Sequence, residues 1–178
     1  EQRAIVRALC EKYGIDLATL ADEQMMTWNE LRTLAADPLV TIGAHTHNHV
    51  AMARLDADAA RAEVLKGMER LEAELGRRPK HFAYPYGKAY AVGPRDAGIL
   101  REIGIASSVT TLPGVLHSSN ARDLTMLPRV SLNGRFQDPA LIDQYLSGVP
   151  FALYDLARWA ANGFGVRSGF SRFFPSTR

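Results

Sequence analysis

Residues 39 to 52 read Leu-Val-Thr-Ile-Gly-Ala-His-Thr-His-Asn-His-Val-Ala-Met, and the fold class turns on how that stretch is organised. Residues 39–42 are a short β-rich apolar run that Gly43 ends, so a strand is expected there. Three of the five histidines, His45, His47 and His49, follow at once. Imidazole is the commonest protein ligand for zinc and titrates near neutral pH. A strand that delivers such a cluster from its C-terminal end has the usual geometry of an α/β active site. Two arrangements are open. An extended segment puts all three rings on one face. A helical turn after Gly43 instead brings His45 and His49 together at i and i+4, with Thr46 fixing the turn through its hydroxyl. The second suits a divalent metal, two imidazoles being supplied by one turn and a further ligand by another strand.

On the C-terminal side, Val64, Met68, Leu71 and Leu75 recur at helical spacing, with charged residues between them, from Asp56 or Asp58 to a Gly76 cap. Residues 81–84 read as a strand halted by Pro85-Tyr86-Gly87. A helix over 95–103 leads to a strand over 105–110, and a polar loop from Pro113-Gly114 runs through Arg122. Residues 124–132 form a strand that Pro128 confines to an edge or a bulge. Asn133-Gly134 turns the chain, and Asp138-Pro139 opens a helix to Leu146. On the N-terminal side three helices are expected. One covers residues 1–13, Asp16 starts a second, and Thr27 with Glu30 forms a capping box for a third, whose apolar stripe is Leu31, Leu34 and Ala35. Strands alternating with helices argue for a parallel sheet or barrel, while about 250 residues are typical of a full eight-stranded one. The expected fold is therefore a small or incomplete α/β layer. It divides into a helical insertion or linker at 1–26, a main body at 27–148, and a terminal helix and tail at 149–178.

Composition sets the outer limits. The 178 residues are 47% hydrophobic and 22% charged, as in an ordinary globular domain, and a net charge of +2 makes no case for a nucleic-acid partner. Arg158, Arg167, Arg172 and Arg178 against Asp155 give the end of the chain a surplus of three positive charges, which leaves the rest at −1. A packed terminal helix with a loose end explains that surplus better than contact with a membrane surface or an acidic polymer. Cys10 is alone, so no internal disulfide forms. No uninterrupted apolar segment approaches the roughly 20 residues that span a bilayer. The chain opens Glu-Gln-Arg directly into a helical pattern, as a fragment would, so its cytoplasmic or cell-envelope location stays open.

The second chemical constellation is Phe82-Ala83-Tyr84-Pro85-Tyr86-Gly87, again at a strand end. Aromatic residues about a proline make a rigid wall suited to sugar rings, and an N–H beyond the proline can face a developing oxyanion. Together the two stretches resemble the polysaccharide deacetylases, the NodB-homology or carbohydrate esterase family 4 domain. His45-Thr46-His47-Asn48-His49 matches that family's His-(Ser/Thr)-x-x-His motif, and Ala83-Tyr84-Pro85-Tyr86 matches Arg-x-Pro-Tyr except at the arginine. The stretch Leu127-Pro128-Arg129-Val130-Ser131-Leu132-Asn133-Gly134 is similar to the closing strand of bacterial members, so the resemblance runs from about Thr27 to Gly148.

The resemblance implies an incomplete, distorted (β/α) barrel lacking its first strand or strands, and hydrolysis of N-acetyl groups from an acetylated amino-sugar oligosaccharide or polysaccharide. By it, His45 and His49 hold zinc or a similar divalent metal, the Tyr86 N–H completes the oxyanion site, and His117 protonates the leaving amine. Tyr84, Pro85 and Arg95 are expected to face substrate, and His47 is expected to be structural or to support the site, with substrate contact at its mouth as the alternative. Arg95, followed by Asp96, stands in for the motif arginine that is Ala83 here, with a plain surface pair at a helix start as the alternative. His81 is structural, and Arg129 is a strand-end charge or ion-pair partner that could reach substrate. The family's first motif is an Asp-Asp pair that supplies the base and the third metal ligand, and no Asp-Asp occurs in the chain. The expectation is that it precedes Glu1, and that this chain alone is inactive and binds metal weakly. Amidohydrolase barrels also use His-x-His but need further histidines, for which His81 and His117 are poorly placed. Metallo-β-lactamase folds use His-x-His-x-Asp-His, a pattern that fails here because Asn48-His49-Val50 follows His47. A degenerate, carbohydrate-binding domain is the non-enzymatic alternative.

Overall fold

Parallel strands cannot be joined by a hairpin, so each needs a crossover, and here one crossover is an α-helix and the next a loop with a short 3-10 turn. The computed structural model describes residues 2–132, 134 and 137–163. Asn133 of the expected turn and the tail beyond residue 163 lie outside them. The helices are α1 (Gln2–Lys12), α2 (Leu17–Gln24), α3 (Trp28–Ala36), α4 (Ala57–Leu75), α5 (Pro94–Ile103), α6 (Pro139–Leu146) and α7 (Val149–Gly163). The strands are β1 (His81–Ala83), β2 (Ser107–Pro113) and β3 (Leu127–Arg129). No helix among the described residues is long and apolar enough to cross a membrane.

The chain packs as two compact units, Glu1–Ile42 and Gly43–Arg178. In the first, Asp16 caps α2 by accepting from the Ala18 N–H at 2.9 Å. Thr27 and Glu30 form the reciprocal box at the start of α3, the Thr27 N–H reaching the Glu30 carboxylate at 2.7 Å. The apolar stripe of α3 is only half covered, because no residue of that helix is buried. Residues 39–42, expected as a strand, form none, and Leu39 is 93% exposed.

The second unit holds the sheet, in the order β1-β2-β3, all parallel. What survives of the expected first strand is a single parallel bridge from Ala44 to Phe82. The Ala44 N–H donates to the His81 carbonyl at 2.8 Å and the Ala83 N–H donates to the Ala44 carbonyl at 2.9 Å. The strand therefore shrinks to the one residue that makes ladder bonds. Pro128 lies in the edge strand β3, whose register against β2 shifts between Val109 and Pro113, as a residue with no N–H to donate requires.

The core is a single cluster in which Ala60, Val64 and Met68 of α4 meet Phe82 and Tyr84 from the β1 end and Ile99 and Leu100 of α5. Asp56 caps α4 through the Ala59 N–H at 2.8 Å, and Gly76 closes it in the left-handed conformation at φ 68°. The buried face begins at Ala60 and includes Gly67, one turn earlier than the Val64–Leu75 stripe suggests. Gly67 is there for proximity. A Cβ at that position would stand 2.9 Å from the carbonyl carbon and oxygen of Thr46 and 3.1 Å from the His47 nitrogen. Alanine favours a helix over glycine by about 1 kcal/mol, whereas overpacking against fixed backbone costs about 1–3 kcal/mol. Gly67→Ala is thus expected to lose about 1 kcal/mol net by denaturant titration and to weaken metal binding by displacing the histidine loop. Unchanged stability and metal affinity would show that the loop moves freely there.

The sheet's far side is pinned by polar groups. The Tyr84 hydroxyl donates to the Thr125 carbonyl at 2.7 Å, and the Ser108 hydroxyl donates to the same oxygen. Burial drives the Tyr84 phenol well above its ordinary pKa. Burial also raises the Asp123 carboxyl, but bonds from the Thr125 hydroxyl and N–H and the adjacent Arg101 charge outweigh it, leaving its pKa below the usual value. A depressed carboxyl stabilises the fold above its unfolded pKa of about 4, and that contribution is lost as pH falls through the folded value. Asp123→Asn is therefore expected to flatten the acid limb of a stability–pH curve below about pH 4. An acid limb identical to that of the parent chain would refute the assignment.

Candidate active site

The loop after Ala44 turns back on itself through unusual backbone. Among the described residues only Thr46 (φ 60°), His49 (φ 53°) and Tyr86 (φ 61°) are non-glycine residues with positive φ. Such residues are costly and cluster at functional sites. These three all belong to the two loops that the sequence singles out.

Two left-handed residues, not a turn of helix, bring the imidazoles together: the His45 and His49 rings lie 4.8 Å apart, edge to face. The Tyr86 ring packs against His49 at 4.9 Å, so the two strand-end loops meet. His45 Nδ1 lies 2.5 Å from the Ala83 carbonyl, which can only accept, so that nitrogen carries the hydrogen and Nε2 keeps its lone pair. Burial lowers the His45 pKa; the Ala83 carbonyl opposes this, while His49 and Arg129 add positive charge that lowers it further. The shift favours the neutral ring, the species that a metal requires.

The helix α4 braces this loop from behind. Glu63 accepts from the Asn48 backbone N–H at 2.9 Å and from its side-chain amide at 2.7 Å, while the Glu63 carbonyl accepts from the His47 N–H at 3.0 Å. Sequence reasoning missed Glu63, which reads as one of the wet residues of α4, because its partner is fifteen residues away. His47 leaves the pair: its ring is exposed and its charge acts on Glu63. Thr46 receives only a long contact from the Val50 N–H, 3.4 Å.

Tyr84 and Pro85, expected at the substrate wall, are buried instead, Tyr84 with 2% of its surface exposed. Strand alternation would put Tyr86 on the buried face with Tyr84, but its left-handed backbone, φ 61°, breaks the pattern and leaves Tyr86 half exposed. Nothing among the described residues accepts the Tyr86 N–H, whereas its carbonyl takes the Thr111 hydroxyl at 2.6 Å. Arg95, expected to face substrate or orient a carboxylate there, spends its guanidinium elsewhere. It donates to the Met52 and Leu55 carbonyls at 2.7 Å each and to Asp96 at 2.6 Å. His117 begins a 3-10 turn, Ser118–Arg122, on an exposed loop, and no contact among the described residues joins it to His45, His49 or Tyr86. Arg129, expected as a strand-end charge or an ion-pair partner, ends β3 and has no carboxylate partner among the described residues.

A catalytic zinc takes three protein ligands and leaves one position open. The His45–His49 pair fits two of them, and no third His, Cys, Asp or Glu joins the pair among the described residues.

The model of one protein family, polysaccharide deacetylase, matches residues 7–102, just over half of the chain. That span takes in the histidine loop, the Tyr86 turn, α4 and all but the last residue of α5. No curated protein matches by sequence. Among solved structures, the chain is similar to the Streptococcus pyogenes deacetylase PplD in complex with acetate, with 20% identity, a TM-score of 0.60, and coverage of 68% of this chain and 50% of that one. It is similar also to IcaB from Ammonifex degensii, with 22% identity, a TM-score of 0.53, and coverage of 66% and 52%. A third is the BpsB deacetylase domain from Bordetella bronchiseptica, with 21% identity, a TM-score of 0.50, and coverage of 59% and 48%. The chain therefore spans about half the length of the structures it matches, and its sheet is an incomplete barrel of their type.

Proposed function

Because the chain belongs to the polysaccharide deacetylase family, we propose that it forms part of a metal-dependent enzyme that removes N-acetyl groups from an acetylated amino-sugar polymer. One observation carries the reading: the His45, His49 and Tyr86 rings converge although thirty-six residues separate the two loops. His45, through Nε2, and His49 would hold a divalent ion such as zinc. That ion supplies Lewis acidity toward the acetamide carbonyl and an activated water. The Tyr86 N–H, turned outward by its positive φ and free of any described acceptor, is the chain's own donor for the oxyanion. The exposed Tyr86 ring offers a face for the sugar. His117 is the resemblance's candidate for protonating the leaving amine, and a pH–rate profile that His117→Ala leaves intact would remove it.

The lack of a third ligand among the described residues, and of any Asp-Asp pair in the sequence, favours a second reading, a carbohydrate-binding domain without turnover. One experiment separates the two. The 178-residue chain is expected to bind zinc weakly and to release no acetate from an acetylated chito-oligosaccharide, whereas a longer form that carries paired carboxylates releases acetate in a zinc-dependent way. Sugar binding without acetate release by the longer form would establish the binding domain. Acetate release by the 178-residue chain would show that its own residues complete the site.

A further inference from the structure

Beside the histidine pair lies a cleft of about 360 Å³ lined by Lys88, Thr111, Arg129, Val130, Ser131 and Leu132. Its size is that of a small-ligand site, and its composition is one-sided: two cations and two hydroxyls, with no carboxylate among the described residues of the lining. Among the described residues neither Lys88 nor Arg129 has an ion-pair partner, although Arg61, Arg70, Arg78, Arg95 and Arg101 all do. Two like charges facing one cleft with no counter-ion repel each other, and an oxyanion between them relieves that repulsion.

The cleft is continuous with the candidate active site through covalent and hydrogen-bonded structure. Lys88 follows the Tyr86-Gly87 turn directly. Thr111 in the cleft wall holds the Tyr86 carbonyl through its hydroxyl at 2.6 Å and the Gly87 carbonyl through its N–H at 3.0 Å. The Tyr86 ring in turn touches His49. Gly87, at φ 60°, permits this closeness, since a Cβ there would come within 2.9 Å of the Thr111 methyl.

We propose that the cleft is an anion-binding subsite, which takes the carboxylate or phosphate of an acidic unit while the neighbouring acetamido group sits at His45, His49 and Tyr86; this rests on the deacetylase reading. The substrate class narrows accordingly, from neutral chitin-like chains to acetylated amino-sugar polymers that bear acid groups. Lys88 and Arg129 grip the oxyanion, and Thr111 and Ser131 offer hydroxyls to it.

Calorimetric titration of the 178-residue chain tests this with four probes. Tetra-N-acetylchitotetraose is neutral, a hyaluronan tetrasaccharide carries carboxylates, and N-acetylglucosamine is compared with its phosphate. The acidic member of either pair is expected to bind about tenfold more tightly than its neutral counterpart. That advantage shrinks as salt is raised, disappears in Lys88→Ala and Arg129→Ala, and returns in part in Arg129→Lys. Whichever acidic probe gains more identifies carboxylate or phosphate as the group. Equal binding of acidic and neutral probes, or an advantage that both alanine variants keep, overturns the subsite. So does an Arg129→Ala that weakens neutral and acidic probes alike, which makes Arg129 a general sugar contact. If de-N-acetylated hyaluronan binds as tightly as the acetylated form, the subsite stands and the deacetylase reading falls.

Discussion

Replacement of His49 by alanine is expected to lower zinc affinity by at least about 100-fold, because losing a group that merely orients a ligand already costs 10–100-fold. The chain supplies two imidazoles and no third described ligand, so a single remaining histidine leaves an ordinary surface contact. His45→Ala should do the same, but it also leaves the Ala83 carbonyl without the hydrogen it accepts at 2.5 Å. His49→Ala is therefore the cleaner variant. Among the described residues its ring packs against the His45 and Tyr86 rings, and alanine keeps the Cβ, so the left-handed backbone at φ 53° is no easier for the variant to hold. The expected result is lost zinc with an unchanged or slightly lowered denaturation midpoint. Zinc bound as well by the variant as by the parent would mean that the two rings do not share an ion. His47→Ala serves as the control, and its zinc affinity should stay within about threefold, since its ring takes no part in the His45–His49 contact.

The second large effect concerns stability. Asp96 is buried, with 1% of its surface exposed, and its carboxylate is held by the Gly93 N–H at 2.9 Å and by Arg95 at 2.6 and 3.0 Å. Removing one partner of a buried pair leaves an uncompensated charge and typically costs 3–5 kcal/mol. Arg95 is itself partly exposed, so water reaches the vacated place and the lower end applies. Arg95→Met is thus expected to destabilise the fold by about 3 kcal/mol, part of it from the orphaned Met52 and Leu55 carbonyls. Adding Asp96→Asn should restore part of the loss, because the buried charge goes with it. An unchanged midpoint for Arg95→Met, with a selective fall in sugar binding, would return Arg95 to the substrate-facing role that its sequence position suggests.

Arg95 and Tyr84 mark where local reasoning gave out. In the sequence each stands beside a catalytic-looking turn, and nothing local says which way the side chain goes. The helix start at Pro94 aims Arg95 back at the Met52–Arg54 turn, and the alternation at the end of β1 sends Tyr84 inward to the Thr125 carbonyl. Residues 39–42 failed for a related reason: β-rich composition makes a strand only where a neighbouring backbone accepts the ladder, and only Ala44 has one.

The sequence by itself determined the capped helices, the parallel α/β order, the family, and the two loops in which the chemistry sits. All of these rest on contacts within a few residues, such as Thr27 with Glu30, Asp56 with Ala59, and the glycine stops at Gly76 and Gly104. Only the tertiary structure decided which residues of those loops meet. It paired His45 with His49 and turned His47 away, exposed Tyr86 while burying Tyr84, braced the histidine loop on Glu63 and Gly67, and left Lys88 and Arg129 facing one cleft. The physical reason is that side-chain direction at a left-handed turn is set by what packs behind it, and those partners lie far away in the chain.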